Sequence, residues 1–379
     1  MKKIMILFLL AFMSTALLAQ GSPFSIEKGN TKVKFGGFVR TVAFADFGGI
    51  VPHYDFRSAL MDAPNTWHRD SRLSVDASAT RLSFQAIQSV DGFGDIEFYI
   101  ESDLRGASDV LRLRQAYISF KGLIAGQAWS FMTDLPANAP TIDVQGVNSR
   151  TFLRTPLIGY RTSIDDKTTF GIALEFPSIR ATYSGMTDLR ALHQRFPDIP
   201  VYLQYKGKGG HIKLTGMFRA MDYGVNSSET IETVLAAGAQ LSGSLKATRD
   251  ITLFSQMIYG KGMARYINDL ALLNLDLVPD VAGNSLQTLP MYSASLGMRA
   301  NFNSEWYCSA NISTAGITNK RDYFSPGEYF RGNYFSASLF YTGIKNMTIA
   351  GEYIHGYRKN MNDTHGNANR LQLMFMYRW

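Results

Sequence analysis

Cysteine is almost missing from this chain: Cys308 stands alone among 379 residues. A lone thiol closes no loop of its own chain, so a secreted scaffold held by cross-links is excluded. No cysteine follows the N-terminal leader, which excludes a lipid-anchored lipoprotein. Long apolar runs are equally scarce. Beyond the leader no segment reaches about eighteen consecutive apolar residues, so no membrane-crossing helix can be written. The mean hydropathy, −0.08, is that of a chain compatible with water. Gly-x-Ser-x-Gly and His-Glu-x-x-His are both absent, which removes two hydrolase signatures.

What is present begins with an address. Lys2 and Lys3 open the chain, Ile4 to Leu18 is apolar, and the small Ala19 precedes Gln20. A basic start, a short apolar core and a small residue are the parts of an export signal. Residues 1–19 are therefore expected to be a signal peptide, and residues 20–379 one exported domain. Leu17 departs from the small residue usual at that point, which leaves the cut itself open.

Aromatics are plentiful, with 25 Phe, 19 Tyr and 4 Trp. The last residues show their use. Leu371, Leu373, Phe375, Tyr377 and Trp379 alternate with Gln372, Met374, Met376 and Arg378, after Arg370. A strand reverses its side chains at each residue, so this spacing makes one greasy and one mostly polar face. An outer-membrane barrel uses such a strand, with lipid on one side and a wet lumen on the other. The alternation recurs at 95–103, 211–219 and 291–302. It slips after Arg112 and Arg114, where Ala116, Ile118 and Phe120 share the arginines' parity. A subunit contact, a β-bulge and a filled patch of wall each account for the slip.

Connectors alternate in length. Short ones, such as 90–92, 121–122 and 164–167, hold the Gly, Asp and Lys that tight turns require. Longer ones lie at 48–78, 132–155, 177–199, 222–230, 263–288, 315–332 and 358–367. Strands are expected to start near 32, 79, 93, 110, 123, 156, 168, 199, 211, 232, 251, 289, 306, 333, 347 and 369. The count is about sixteen, an even number. The expected fold is all-β, a transmembrane antiparallel β-barrel in a Gram-negative outer membrane. Short turns then face the periplasm and long loops the exterior.

A barrel of that width is too wide for its side chains to fill, so an aqueous channel is expected. By parity its lining includes Arg81, Arg112, Arg114, Arg161, Arg219, Arg299, Arg370 and Arg378, with Lys213; Arg40 is a further candidate. Guanidinium stays protonated and carries five donors, so such residues bias a pore toward anions. The plainer alternative pairs them with Asp95, Glu97, Glu101, Asp103 and Glu175 across the wall. The connector from Phe131 to Thr155, with Asp134, Asp143, Arg150 and Arg154, is expected to fold inward as the constriction.

Other chemistries are weaker. His53 with Asp55, and Asp363 with His365, offer base-and-partner pairs, but polar turns read the same way. His68 and His193 carry no motif. Asp269, Asp276 and Asp280 share one long connector without a metal-ligand spacing. Neither a cofactor nor a resident metal is expected. The apolar Leu270 to Leu277 fits a short helix over the mouth or a partner contact, as in a loop-presenting barrel. Cations are dispersed along strands without a nucleic-acid motif; lipopolysaccharide is the more natural partner for the outer rim.

Several segments resemble the DcaP-like outer-membrane porins: Phe35-Gly-Gly-Phe-Val-Arg40, Thr80-Arg-Leu-Ser-Phe84, Leu111-Arg-Leu-Arg-Gln-Ala-Tyr117, Ala125-Gly-Gln-Ala-Trp-Ser130 and Gly351-Glu-Tyr-Ile-His-Gly-Tyr-Arg358. So does the closing Asn369-Arg-Leu-Gln-Leu with its terminal aromatic. The resemblance implies sixteen strands, a homotrimer and passive uptake of small anionic solutes such as dicarboxylates. It also implies that Arg112 and Arg114 face the channel. Tyr377 and Trp379 stand where such porins carry the signal for the barrel-assembly machinery, although phenylalanine is the commoner last residue.

Overall fold

The alternation along the chain closes into a ring. A computed structural model describes residues 24–65, 71–106, 110–176, 178–183 and 186–379. The expected signal peptide and His68 lie outside the described residues. Sixteen antiparallel strands form a closed barrel. They are β1 (Thr31–Phe47), β2 (Ser71–Asp76 continued by Arg81–Val90), β3 (Gly94–Asp103), β4 (Arg112–Phe120), β5 (Leu123–Trp129) and β6 (Arg154–Ser163). Next come β7 (Thr168–Glu175), β8 (Ile199–Gly207), β9 (Gly210–Val225), β10 (Thr230–Lys246) and β11 (Ile251–Lys261). The last are β12 (Pro290–Asn301), β13 (Trp306–Ile317), β14 (Tyr329–Tyr341), β15 (Met347–Asn360) and β16 (His365–Arg378). β1 pairs with β2 on one side and β16 on the other, Phe38 opposite Arg378 through Phe47 opposite Asn369. Closure satisfies the backbone groups that an open sheet edge would present to lipid.

Period-two burial runs along the wall. Leu371, Leu373 and Phe375 are about half exposed on the outside, while Arg370, Gln372 and Met374 are buried inside. Chain direction then puts both termini and every short turn at one end. Two-residue turns mark it: Lys121 and Gly122 both hold positive φ, 44° and 84°, the geometry that matches strand twist in a hairpin.

Three differences from the expected strands have local causes. β2 starts earlier and is interrupted at 77–80, because Asp76 accepts from the Ser78 N–H at 2.8 Å and turns the chain aside. β9 and β10 zip onward to a loop at 226–229, shorter than the expected connector, with Leu189–Ala191 paired on the edge of β9. β16 likewise extends back to His365, shrinking the connector before it to 361–364.

The slip in β4 is a β-bulge. Glu101 faces Gln115, yet Ser102 faces Leu113, so Arg114 is the extra residue. The insertion turns Arg112, Arg114 and Gln115 all inward and returns Ile118 to the lipid face. The packed core lies inside the ring and is made largely by loops. Tyr266, Ile267, Leu270, Leu275 and Val278 from the loop after β11 pack on Met217, Ile258, Met291 and Tyr329 of the wall. Val51, Phe56 and Met61 from the first long loop pack on Val147, Tyr334 and Ile354.

Candidate permeation pathway

The connector between β5 and β6 lies within the barrel, and the wall's polar face holds it there. Lys213 Nζ donates to the Phe131 and Thr133 carbonyls at 2.7 and 3.1 Å, and Gln240 Nε2 to Met132 O at 2.8 Å. Ser242 Oγ donates to Asp134 at 2.6 Å, with His211 Nε2 2.9 Å away. On the far side, the Ile142 and Asp143 N–H groups donate to Glu352 at 2.8 and 2.9 Å, and Arg40 donates to Ile142 O. Ser309 ties down Pro140 O between them, and Ser293 and Ser313 hold Ser149 O and the Asn148 side chain further along. A buried connector leaves peptide groups that need partners; short hydroxyl and amide side chains on β10 to β13 supply them.

The four charges of this connector do not form one ring. Asp134 is sealed against β9 and β10. Burial acts to raise its pKa, but the His211 and Ser242 hydrogen bonds outweigh it and hold the carboxyl below its ordinary range. Asp143 lies beside Asp55 and Glu352, and burial pushes its carboxyl up. Arg150 donates to Val144 O at 2.7 Å and lies 4.0 Å over the Phe152 ring. Arg154, at the head of β6, lies 4.9 Å over Trp129.

The arginines on the inner wall separate by partner. Arg370 forks onto Asp46 at 2.6 and 2.9 Å with its side chain fully buried. Arg219 bridges Asp198 at 3.0 Å and Asp276 at 2.7 Å, again sealed. These two hold structure. Arg161, exposed on the inner face of β6, and Arg299, 4.0 Å over Tyr307, have no carboxylate within 4.0 Å among the described residues.

Along β2 to β6 the arginines outnumber the acids. Arg114 donates to Glu101 at 2.7 Å and Asp103 at 2.8 Å, Arg112 reaches Asp103 at 2.7 Å, and Arg81 lies 3.5 Å from Glu101. Arg154 feels the charge of all three arginines. Three cations thus share two carboxylates, with Arg154 as a fourth cation nearby. Arg81 Nε, Arg114 Nη2 and Arg154 Nη1 are buried without a hydrogen-bond partner, so donor capacity is left over. This wall keeps contact with the lumen through Arg112, whose side chain is 40% exposed, and Arg81, at 22%, whereas Arg114, at 1%, is as sealed as Arg219 and Arg370. Arg81 leads on to a cavity of about 850 Å³, shared with Arg40, Arg150, Lys345 and Arg378. It opens at the end that carries the termini and short turns.

Residues 18–379 match the family described as DcaP outer membrane protein. This chain belongs to the DcaP outer membrane protein family. It is therefore an outer-membrane β-barrel porin. Among curated protein sequences none matches. The outer membrane channel DcaP of Acinetobacter baumannii has a similar crystal structure, with TM-score 0.79 at 18% identity, covering 93% of this chain and 99% of that one. An anion-selective porin from Comamonas acidovorans gives 0.60 at 12%, over 92% and 100%. The trimer form of OmpT, an outer membrane protein of Vibrio cholerae, gives 0.58 at 12%, over 93% and 100%.

In this DcaP-family barrel the remaining candidates have other partners. Asp55 is paired with Arg105, and His53 accepts from the Asp55 N–H at 2.9 Å. Asp363 bridges Lys320 and Lys359, and His365 stacks on Tyr357. Asp280 caps its own turn, and Asp269 accepts from Tyr329 at 2.9 Å. Among the described residues no three potential ligands cluster to hold a metal. Tyr377 is exposed on the lipid face, while Trp379 N–H donates to Gly37 O at 3.3 Å and its ring meets Phe24 edge-on.

Two contributors were not singled out from the sequence. Arg105, which clamps Asp55 to Asp76, sits in a connector where parity says nothing. Glu352, which holds the inserted loop, had parity as a signal but no visible partner. The apolar Leu270–Leu277, expected as a short helix over the mouth or a partner contact, begins with a short helical turn and packs inward, with Leu270, Leu275 and Leu277 buried. Its leucines were the signal.

Proposed function

We propose that this porin is a passive diffusion channel that prefers small hydrophilic anions, dicarboxylates among them. The reading is carried by Arg81, Arg112 and Arg114 pairing with two carboxylates, Glu101 and Asp103, with Arg154 nearby. An anion entering from outside meets half-exposed Arg112, then Arg81, then the arginines of the cavity below. The guanidinium groups replace part of its hydration without binding it so well that it cannot leave. The loop from Phe131 to Thr155 narrows the lumen and sets the size limit. No step in this traffic makes or breaks a bond, so no catalysis is assigned. The chain assembles as a homotrimer, as one similar barrel does. The barrel-assembly machinery reads Tyr377 and Trp379, and lipid with lipopolysaccharide surrounds the outer wall.

Reconstitution in a planar bilayer under a potassium chloride gradient tests the reading. The reversal potential is expected to report anion preference; cation preference overturns it. Replacing Arg112 and Arg114 together with alanine leaves two cations against two acids, and the preference is expected to fall toward none. Unchanged selectivity in that variant removes the two residues from the pathway.

A further inference from the structure

The outer face of β14, β15 and β16 changes chemistry in steps toward the exterior. The ladder of these three strands sets their outward side chains in rows. In one row Leu339 and Leu373 flank Gly351, and both leucines are close to half exposed. Phe335, His355 and Asn369 form a row nearer the exterior, where the apolar character ends. Asn333, Tyr357 and Asn367 make the next, which is polar and carries no formal charge. The outermost row is Arg331, Lys359 and His365, side by side. Each row takes two residues, about 6.6 Å along a strand. With strands tilted by about 40°, the basic row stands roughly 10 Å above Phe335. Side chains of that length reach the headgroup zone of a bilayer from there.

The fold itself does not balance this row. Arg331 and Lys359 are directly opposite in the ladder, and like charges so placed repel. One oxygen of Asp363 accepts from Lys320 at 2.6 Å and from Lys359 at 2.7 Å. Two lysines thus share one carboxylate, while Arg331 has none within 4.0 Å among the described residues. The other acids of the adjoining loop are engaged within it, since Asp322 accepts from Asn319 at 3.2 Å and Glu328 from the Tyr329 N–H at 2.8 Å. The Lys359 side chain is 28% exposed, and its ammonium carries three donors. Elsewhere the rim differs. At the exterior ends of β9 and β10 the outward pair is Asp222 opposite Thr233, and Arg195 neutralises Asp222 at 2.9 Å.

We propose that this face of β14 to β16 is a binding site for lipopolysaccharide, with a lipid A phosphate held between Arg331 and Lys359. Arginine supplies a fork that matches two phosphate oxygens, and lysine a point charge. The sugar lies over Asn333, Tyr357 and Asn367, and the acyl chains run down over Leu339 and Leu373. A free phosphate uses the basic row alone; the exposed leucines below it favour a ligand that carries chains. The inference rests on the reading that lipopolysaccharide surrounds the outer wall, and it gives that contact one place.

The test is native mass spectrometry of the folded, delipidated porin in mild detergent. The probes are lipid A carrying two phosphates, the same lipid A stripped of phosphate, and inorganic phosphate. The parent porin is expected to bind the phosphorylated form more tightly by about tenfold or more, and Arg331→Ala with Lys359→Ala to remove most of that advantage. Should this variant fail to assemble, Arg331→Gln alone is read instead, and a smaller loss is expected. Equal binding of the two lipids by the parent, or an unaltered advantage in the variant that assembles, overturns the site. Displacement of lipid A by an equal concentration of inorganic phosphate overturns the lipid assignment. A variant that falls from trimer to single chains marks the face as a contact between copies and overturns it as well. A parent porin that retains neither lipid sinks the reading of the outer wall together with the site, whereas retention that the variant leaves unaltered sinks the site alone.

Discussion

A guanidinium inside this barrel acts according to whether a carboxylate already claims it. Arg219 and Arg370 are claimed by close, fully buried acids and fix loops and wall together. Breaking such a pair leaves a buried charge uncompensated at a cost of about 3–5 kcal/mol. Arg370→Ala is therefore expected to lower the thermal unfolding midpoint sharply, whereas Arg161→Ala, at an exposed position, should leave it almost unmoved. Asp269 carries a pH dependence. Burial lifts its carboxyl from 3.8 to about 6. The folded state then holds the proton more tightly than the unfolded one, so stability falls as pH rises from about 4 to about 6. The cost is absent below that window and complete above it, at roughly 3 kcal/mol at most. Amide protection across 263–288, taken relative to the intrinsic exchange rate at each pH, is expected to be higher at about pH 5 than at about pH 8, and Asp269→Asn should remove most of that difference in protection. Parity reveals that all these arginines face inward. It cannot reveal which acid lies opposite, because Asp46 and Asp276 come from positions far apart in the chain.

Among elements, the loop after β11 shows how a segment can be legible in composition and open in place. Leu270 to Leu277 is too apolar for an exposed surface, and the sequence says so. Only the ring of strands offers Met217, Ile258 and Met291 as the surface that buries it. Replacing residues 268–276 by a short Gly-Ser linker is expected to raise single-channel conductance while the β signal in circular dichroism is retained. Unchanged conductance would mean that this loop does not obstruct flow. Turns are more local. Gly122 holds φ +84°, and a Cβ there would stand 2.3 Å from Arg161 O. Gly122→Ala is expected to cost about 1–3 kcal/mol in the stability of the β4–β5 hairpin, read as a lower unfolding temperature. The bulge at Arg114 lies between these cases. The alternation slips visibly in the sequence, but only the register of β3 against β4 separates a bulge from a contact surface.

At the scale of the whole molecule the seam between β1 and β16 completes the cylinder, and Trp379 sits on it against Gly37 and Phe24. Deleting Trp379 is expected to reduce the amount of assembled porin in the outer membrane, with Trp379→Phe restoring it; equal yields would remove the residue from the assembly signal. The unboiled protein in mild detergent is expected to have about three times the mass of one chain by light scattering. The sequence by itself determined the strands, their even number, which face meets lipid and which end carries the short turns. Those properties follow from a period of two and from turn chemistry, both local. The tertiary structure decided which arginines are neutralised, which loops enter the lumen and where a cavity remains. Each of these depends on residues brought together from opposite sides of the ring, and a closed ring fixes such distances only when its last strand meets its first.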